Sequence, residues 1–238
     1  MKTQVYILQH IGLGDAIMTN AITRHYCKIY DIVFLFVKKR CLDDVSYMFR
    51  DLLNLKFLVI NSDEYNRQFE EVNSYLRFNK NTDYIEIGYN YLNNTNLPAD
   101  RAFYKQVGLD FQKRYDDFYL ERDLIEEQKV YDYYNPNNEP YVFLHHDTQR
   151  TTINKDLIKN KTIKLIEINF KLNEPKLFRL FHYRKLIENC EEGHFIDSSF
   201  KCFADSVIEN KENMYFHIID PVKNNTTCRS YWNIVKYK

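Results

Sequence analysis

Short apolar runs recur along this chain and alternate with stretches of helical spacing. Val5 to Leu8 is a run of β-formers, Asp31 to Val37 is a second and almost wholly apolar one, and Phe57 to Ile60 and Tyr84 to Ile87 follow. Such runs, bounded by polar or turn residues, predict buried strands. Between them Ala16, Ile17, Ala21, Ile22 and Tyr26 return at helical intervals, and Val45, Met48, Phe49 and Leu52 mark one face of a helix over Cys41 to Leu53. Glu64 to Phe78 predicts another helix, and Ala99 to Gly108 one that stops at its glycine. Leu120 to Tyr134 is charged and amphipathic and runs into Asn135-Pro-Asn-Asn-Glu-Pro140, a cluster of turn residues that reads as a linker.

The pattern then restarts. Strands are predicted over 141–145, 163–168, 193–196 and 214–219, with helices over 177–189 and 200–209. Strands that alternate with helices imply parallel βαβ units. The fold class is therefore α/β, with lobes at 1–134 and 135–238, read as two Rossmann-like lobes facing a cleft.

Composition narrows the function classes. Of 238 residues 45% are hydrophobic and 16% aromatic, which supplies a packed core and excludes a disordered chain. The 33 basic and 33 acidic residues cancel, which argues against nucleic acid as a partner held by a global positive field. No run approaches the roughly 18 apolar residues of a membrane span. The amino terminus reads as a strand, not a signal segment. Five cysteines without CxxC spacing read as reduced thiols. A cytoplasmic location is expected, with peripheral association at the inner face of a membrane left open.

Two strand-to-helix turns carry the candidate chemistry. The first is Ile11-Gly12-Leu13-Gly14-Asp15, which holds two of only five glycines. A chain so sparing of glycine places it where the backbone takes positive φ or a ligand comes close. Asp15 is either a helix cap or a carboxylate facing a ligand at the end of a strand. The turn is no dinucleotide fingerprint, because position 17 is Ile, and no phosphate loop, because no Gly-Lys-Ser/Thr follows. The second turn is Asp197-Ser198-Ser199, which leads into an amphipathic helix over Phe200, Phe203 and Ala204. Its hydroxyls and free amides form a phosphate cradle or, on the plainer reading, a serine cap. A third polar stretch, His145 to Arg150, follows a strand; Arg150 suits bidentate contact with a diphosphate and Thr148 a hydrogen bond. His145, His146 and Asp147 are consecutive and alternate between faces, so no metal site is read there. His194 is read as packing in its sheet, and Arg184 and Lys185 as a solvated face.

Gly14, Asp15, Ile17, Thr19 and Ala21 resemble the opening of heptosyltransferase-like glycosyltransferases, with Asn20 where that family has Pro. Asp197-Ser198-Ser199 resembles the Asp-Ser/Thr-Gly/Ser turn that holds the donor's phosphates in the carboxy-terminal lobe of glycosyltransferases with two facing Rossmann-like lobes, the GT-B type. The resemblance implies a metal-independent, inverting transfer from a nucleotide sugar to a saccharide or glycolipid acceptor. Asp15 would be the general base and His10 the reserve. Gly12, Gly14, His146, Thr148, Arg150, Asp197, Ser198 and Ser199 would face the donor. An acidic residue among Glu188, Glu191 and Glu192 would reach a ribose. The donor is a substrate, so no cofactor is expected. No two aspartates are separated by a single intervening residue, unlike the Asp-x-Asp of manganese-dependent sugar transferases. A non-catalytic nucleotide- or sugar-binding module and a nucleotide-sugar epimerase on the same scaffold remain as alternatives. The sugar, the base, the linkage and the oligomeric state are not legible.

Overall fold

A computed structural model describes residues 3–10, 12–79, 82–147, 151–169, 177–219 and 226–237. It divides into two compact units, Met1–Glu121 and Arg122–Lys238.

In the first unit the predicted apolar runs form β1 (Gln4–Gln9), β2 (Ile32–Lys38), β3 (Leu55–Ile60) and β4 (Asp83–Ile87). All pair in parallel, in the order β3-β2-β1-β4. The connecting helices are α1 (Leu13–Met18), α2 (Asn20–Ile29), α3 (Leu42–Met48) and α4 (Tyr65–Arg77), followed by α5 (Asn90–Asn93), α6 (Ala99–Gln106) and α7 (Lys113–Asp116). Tyr6, Leu8, Phe36 and Ile60 pack with Val72 and Phe69 of α4. The alternate residues Val5, Ile7, Val33 and Leu35 are buried too, so the sheet is covered on both faces, as parallel sheets require. Gly108 stops α6 as predicted: it takes φ +71, and the Leu109 amide returns to the Tyr104 carbonyl at 3.0 Å.

The helix expected after β1 is two helices broken at Thr19. The Thr19 hydroxyl is 2.5 Å from Gln9 Oε1 and 2.8 Å from the Asp15 carbonyl. Asn20 exchanges hydrogen bonds with both backbone groups of Tyr119 and accepts one from Arg24, which in turn grips Asp51 through two bonds of 2.7 and 2.8 Å. An amide side chain can make such a pair with a neighbouring backbone; the Pro expected from the resemblance cannot.

The second unit begins with α8 (Leu124–Tyr134) and carries β5 (Tyr141–His146), β6 (Lys164–Asn169), β7 (Glu192–Ile196), β8 (Met214–Ile218) and β9 (Asn233–Lys236). The strands are again all parallel, in the order β6-β5-β7-β8-β9. The helix expected over 177–189 is a 3₁₀ turn at Leu180–Tyr183 followed by α9 (Arg184–Glu188), and α10 (Ser199–Val207) follows β7. β9 is unpredicted: Asn233-Ile-Val-Lys236 is short and mostly exposed at the sheet edge.

The boundary between the units precedes α8, whereas the turn cluster at 135–140 suggested a break after it. That cluster is a closed turn inside the second unit, with Asn135 and Glu139 bonded side chain to backbone in both directions. Arg122 binds Glu127 and Glu188, Lys185 binds Gln128, and Lys164 Nζ donates to the Tyr134 carbonyl at 2.8 Å. These bonds fasten α8 to α9 and β6.

Among the described residues, the face of this sheet that carries Val142, Leu144 and Ile196 is packed by a segment whose only helical part is a 3₁₀ turn at Lys155–Leu157. This segment, 151–163, packs through Ile153, Ile158 and Ile163. Its backbone is pinned to the sheet by a buried polar chain. Lys159 and Asn160 amides donate to the Glu192 carboxylate at 2.9 and 3.0 Å, and Glu192 meets His194 Nε2 at 2.6 Å. His194 Nδ1 lies 2.8 Å from His217 Nε2, His217 Nδ1 is 3.0 Å from the Tyr237 hydroxyl, and that hydroxyl accepts the Asn154 amide at 3.1 Å. Because a carboxylate only accepts, the donors run one way: Tyr237 to His217 to His194 to Glu192. Both imidazoles are neutral in this arrangement. Burial pushes both below the ordinary histidine value, His217 to about 3.

Candidate functional site

A parallel sheet binds ligands beyond the carboxyl ends of its strands, where the strand order reverses. In the first unit that point lies between β1 and β4, and in the second between β5 and β7. The two turns singled out from the sequence fall at these two points.

In the first unit the structure brings together His10, Gly12 and Asp15. Gly12 is the N-cap of α1 and Asp15 stands in its first turn. The carboxylate folds back so that Oδ2 accepts the Gly12 amide at 3.0 Å and meets His10 Nδ1 at 3.2 Å. A Cβ on Gly12 would lie 2.7 Å from that oxygen, so the close approach requires glycine. Asp15 thus caps the helix from inside its first turn, and its side chain is still 21% exposed. Among the described residues only Oδ2 is engaged. The hydrogen bond to Asp15 holds the His10 imidazole above its ordinary pKa, with burial opposing. Gly14 lies within α1, beside Asp15.

At the end of β4, Gly88 takes φ +90 and Tyr89 φ 45 with ψ −119. The Tyr89 ring is buried 5.3 Å from that of His10, and its hydroxyl donates to the Gln9 carbonyl at 3.3 Å. Nothing in the sequence marked this residue beyond the glycine before it.

In the second unit Ser198 is the N-cap of α10. Its hydroxyl accepts the Lys201 amide at 3.3 Å and lies 3.3 Å from His145 Nδ1. His145 stacks on Phe200 with centroids 4.3 Å apart. Asp197, Ser198 and Ser199 are all half-exposed. Asp197 Oδ1 accepts the Thr226 hydroxyl at 2.8 Å, and Thr226 also accepts Lys201 Nζ at 3.0 Å. Lys201 is wholly buried, with its ammonium 4.4 Å from the Phe216 ring centre. A lysine so placed was legible only as a cation inside the apolar face of α10.

His146 does not join Ser198. Neighbouring strand residues point to opposite faces, and His146 turns away from α10, with Nε2 2.9 Å from Glu167 Oε1. His145, read from the sequence only as part of the polar stretch and given no donor contact, meets the turn. Thr148 and Arg150 lie outside the described residues. Glu188 and Glu192 stand at the opposite end of β7 from Asp197; Glu188 is taken by Arg122 and Arg184, and Glu192 by His194 and two amides, so neither reaches the turn. His194 packs in the sheet. Among the described residues no group of three His, Cys, Asp or Glu side chains is disposed to hold a metal ion. No helix among them is long and apolar enough to cross a membrane.

No family model matches the chain, and no curated protein does. Solved structures match it. A glycosyl transferase family 9 protein from Veillonella parvula DSM 2008 superposes with a TM-score of 0.60 at 10% identity, over 100% of this chain and 87% of that one. The ADP-heptose LPS heptosyltransferase II of E. coli superposes with a TM-score of 0.51 at 9% identity, over 98% of this chain and 90% of the other. At such identities the likeness is one of fold: this chain is similar in architecture to two sugar transferases.

Proposed function

We propose that the chain transfers a sugar from a nucleotide-sugar donor to a glycan or lipopolysaccharide-type acceptor, without a metal and with inversion, and that Asp15 is the general base. The observation that carries this reading is the Asp15 carboxylate, fixed by one oxygen at the carboxyl end of β1 and open to solvent, in a chain with the fold of two sugar transferases. The acceptor proton passes to Asp15 while the acceptor oxygen bonds to the anomeric carbon. The bond from that carbon to the diphosphate oxygen breaks, and its electron pair leaves with the nucleoside diphosphate. Attack opposite the leaving group inverts the centre. The departing charge is met by the Ser198 hydroxyl and the first amides of α10, with Asp197 ordering the turn. Thr148 and Arg150 are assigned to the same task. On this reading the first lobe receives the acceptor and the second the donor, in the cytoplasm and at the inner face of a membrane when the acceptor is a glycolipid.

Asp15→Asn removes the proton acceptor with little change of shape. Turnover of the donor is expected to fall by about 10²–10⁴-fold, while the rise in melting temperature caused by a nucleoside diphosphate persists. Undiminished turnover overturns the base assignment. If uridine, guanosine and adenosine diphosphate sugars all leave the melting temperature unmoved, the donor assignment fails.

A further inference from the structure

Tyr89 holds a backbone conformation that only glycine adopts without cost. Among the described residues the other positive-φ positions that are not glycine, Asn138 and Asn210, are of a type that tolerates it. A bulky aromatic does not, so something in the surroundings must hold Tyr89 there. The conformation turns the side chain inward instead of out to solvent. The ring is packed 5.0 Å from Phe69 and 5.7 Å from Tyr65, and its hydroxyl reaches the Gln9 carbonyl.

The remaining side of the ring faces His10. The His10 imidazole lies 5.3 Å from Tyr89 and 6.3 Å from Phe103, and a Cβ at Gly88 would come within 3.2 Å of the His10 Cβ. The histidine is therefore clamped on one side by two aromatic rings and by the bare backbone of Gly88, while its side chain stays 45% exposed. That clamp leaves Nδ1 directed at Asp15 Oδ2, 3.2 Å away. Lys38 and Asp15 are the charges that act on His10.

We propose that Tyr89 is a positioning residue: its strained backbone wedges the ring against His10, and the fixed imidazole holds the Asp15 carboxylate in the orientation that accepts the acceptor's proton. This inference rests on the reading of Asp15 as general base, but its first test does not. Removing the ring frees the imidazole, and a carboxylate misplaced by a fraction of an ångström loses rate with little loss of binding.

The test compares Tyr89→Phe, Tyr89→Leu and Tyr89→Gly by NMR titration of His10 and by kinetics, each variant being checked for folding by circular dichroism. Tyr89→Phe keeps the ring, so its His10 titration and turnover should match the wild type. Tyr89→Leu and Tyr89→Gly should bring the His10 pKa down towards the ordinary histidine value and lower kcat by about tenfold with KM little changed. Tyr89→Gly removes the strain as well as the ring, so a folded variant is available even if Tyr89→Leu collapses. An unchanged His10 titration in a folded Tyr89→Gly overturns the proposal. A lowered His10 pKa in a protein whose turnover is indifferent to Asp15→Asn upholds the positioning and sinks the base assignment instead, whereas a raised one reports only the loss of burial and overturns the positioning.

Discussion

The buried chain Glu192–His194–His217–Tyr237 makes the second unit sensitive to acid, and His217 sets the size of the effect. In the unfolded chain this imidazole titrates near 6.5, and in the fold burial holds it at about 3. A depressed histidine pKa means that the unfolded state binds the proton first. The stabilisation is complete above the unfolded value and is lost as pH falls from 6.5 towards 3. Lowering the pH from about 7.5 to about 5 should then remove ~2 kcal/mol through His217 alone. His194, also depressed by burial, loses stability in the same direction. Because His217 is fully buried, salt screens little of this.

The chain has one tryptophan, Trp232, buried against Phe195 in the same sheet, so its fluorescence during urea unfolding reports the second unit. His217→Asn should be less stable at neutral pH, because the His194 and Tyr237 contacts suffer, yet flatter in its pH dependence by ~2 kcal/mol over that interval. Equal pH slopes in variant and wild type, or a His217 NMR signal that titrates near 6.5, would refute the argument.

Two further outcomes follow from local geometry. Gly12→Ala drives a Cβ into the Asp15 carboxylate; the side chain can swing away, so stability should fall by under ~1 kcal/mol while the raised His10 pKa, read by NMR, is lost. Tyr89→Gly should be more stable than Tyr89→Ala by ~1–2 kcal/mol in urea unfolding, the reverse of the usual order in helices and strands, because alanine keeps the strain that glycine releases.

The alternation of apolar runs with helical spacing was enough to determine parallel α/β architecture in both halves, because burial on two faces demands continuous apolar strands whatever surrounds them. Gly12, Asp15, Asp197 and Ser198 were legible for a similar reason: a cap or a tight turn is a property of a few consecutive residues. Everything decided between distant segments was not. The unit boundary lies before α8 because Arg122 and Lys185 tie that helix to α9 and Lys164 ties it to β6, while the Pro- and Asn-rich stretch that looked like a hinge is locked by Asn135. β9 exists because β8 offers it an edge, and its own sequence is too polar to announce it. His145 replaces His146 beside Ser198 because the pleat sends neighbours to opposite faces, and only the packing of α10 fixes which face matters. The same holds for Tyr89 and for the histidine chain. Their partners are brought within hydrogen-bond or ring contact by strand order, and strand order is a property of the folded sheet.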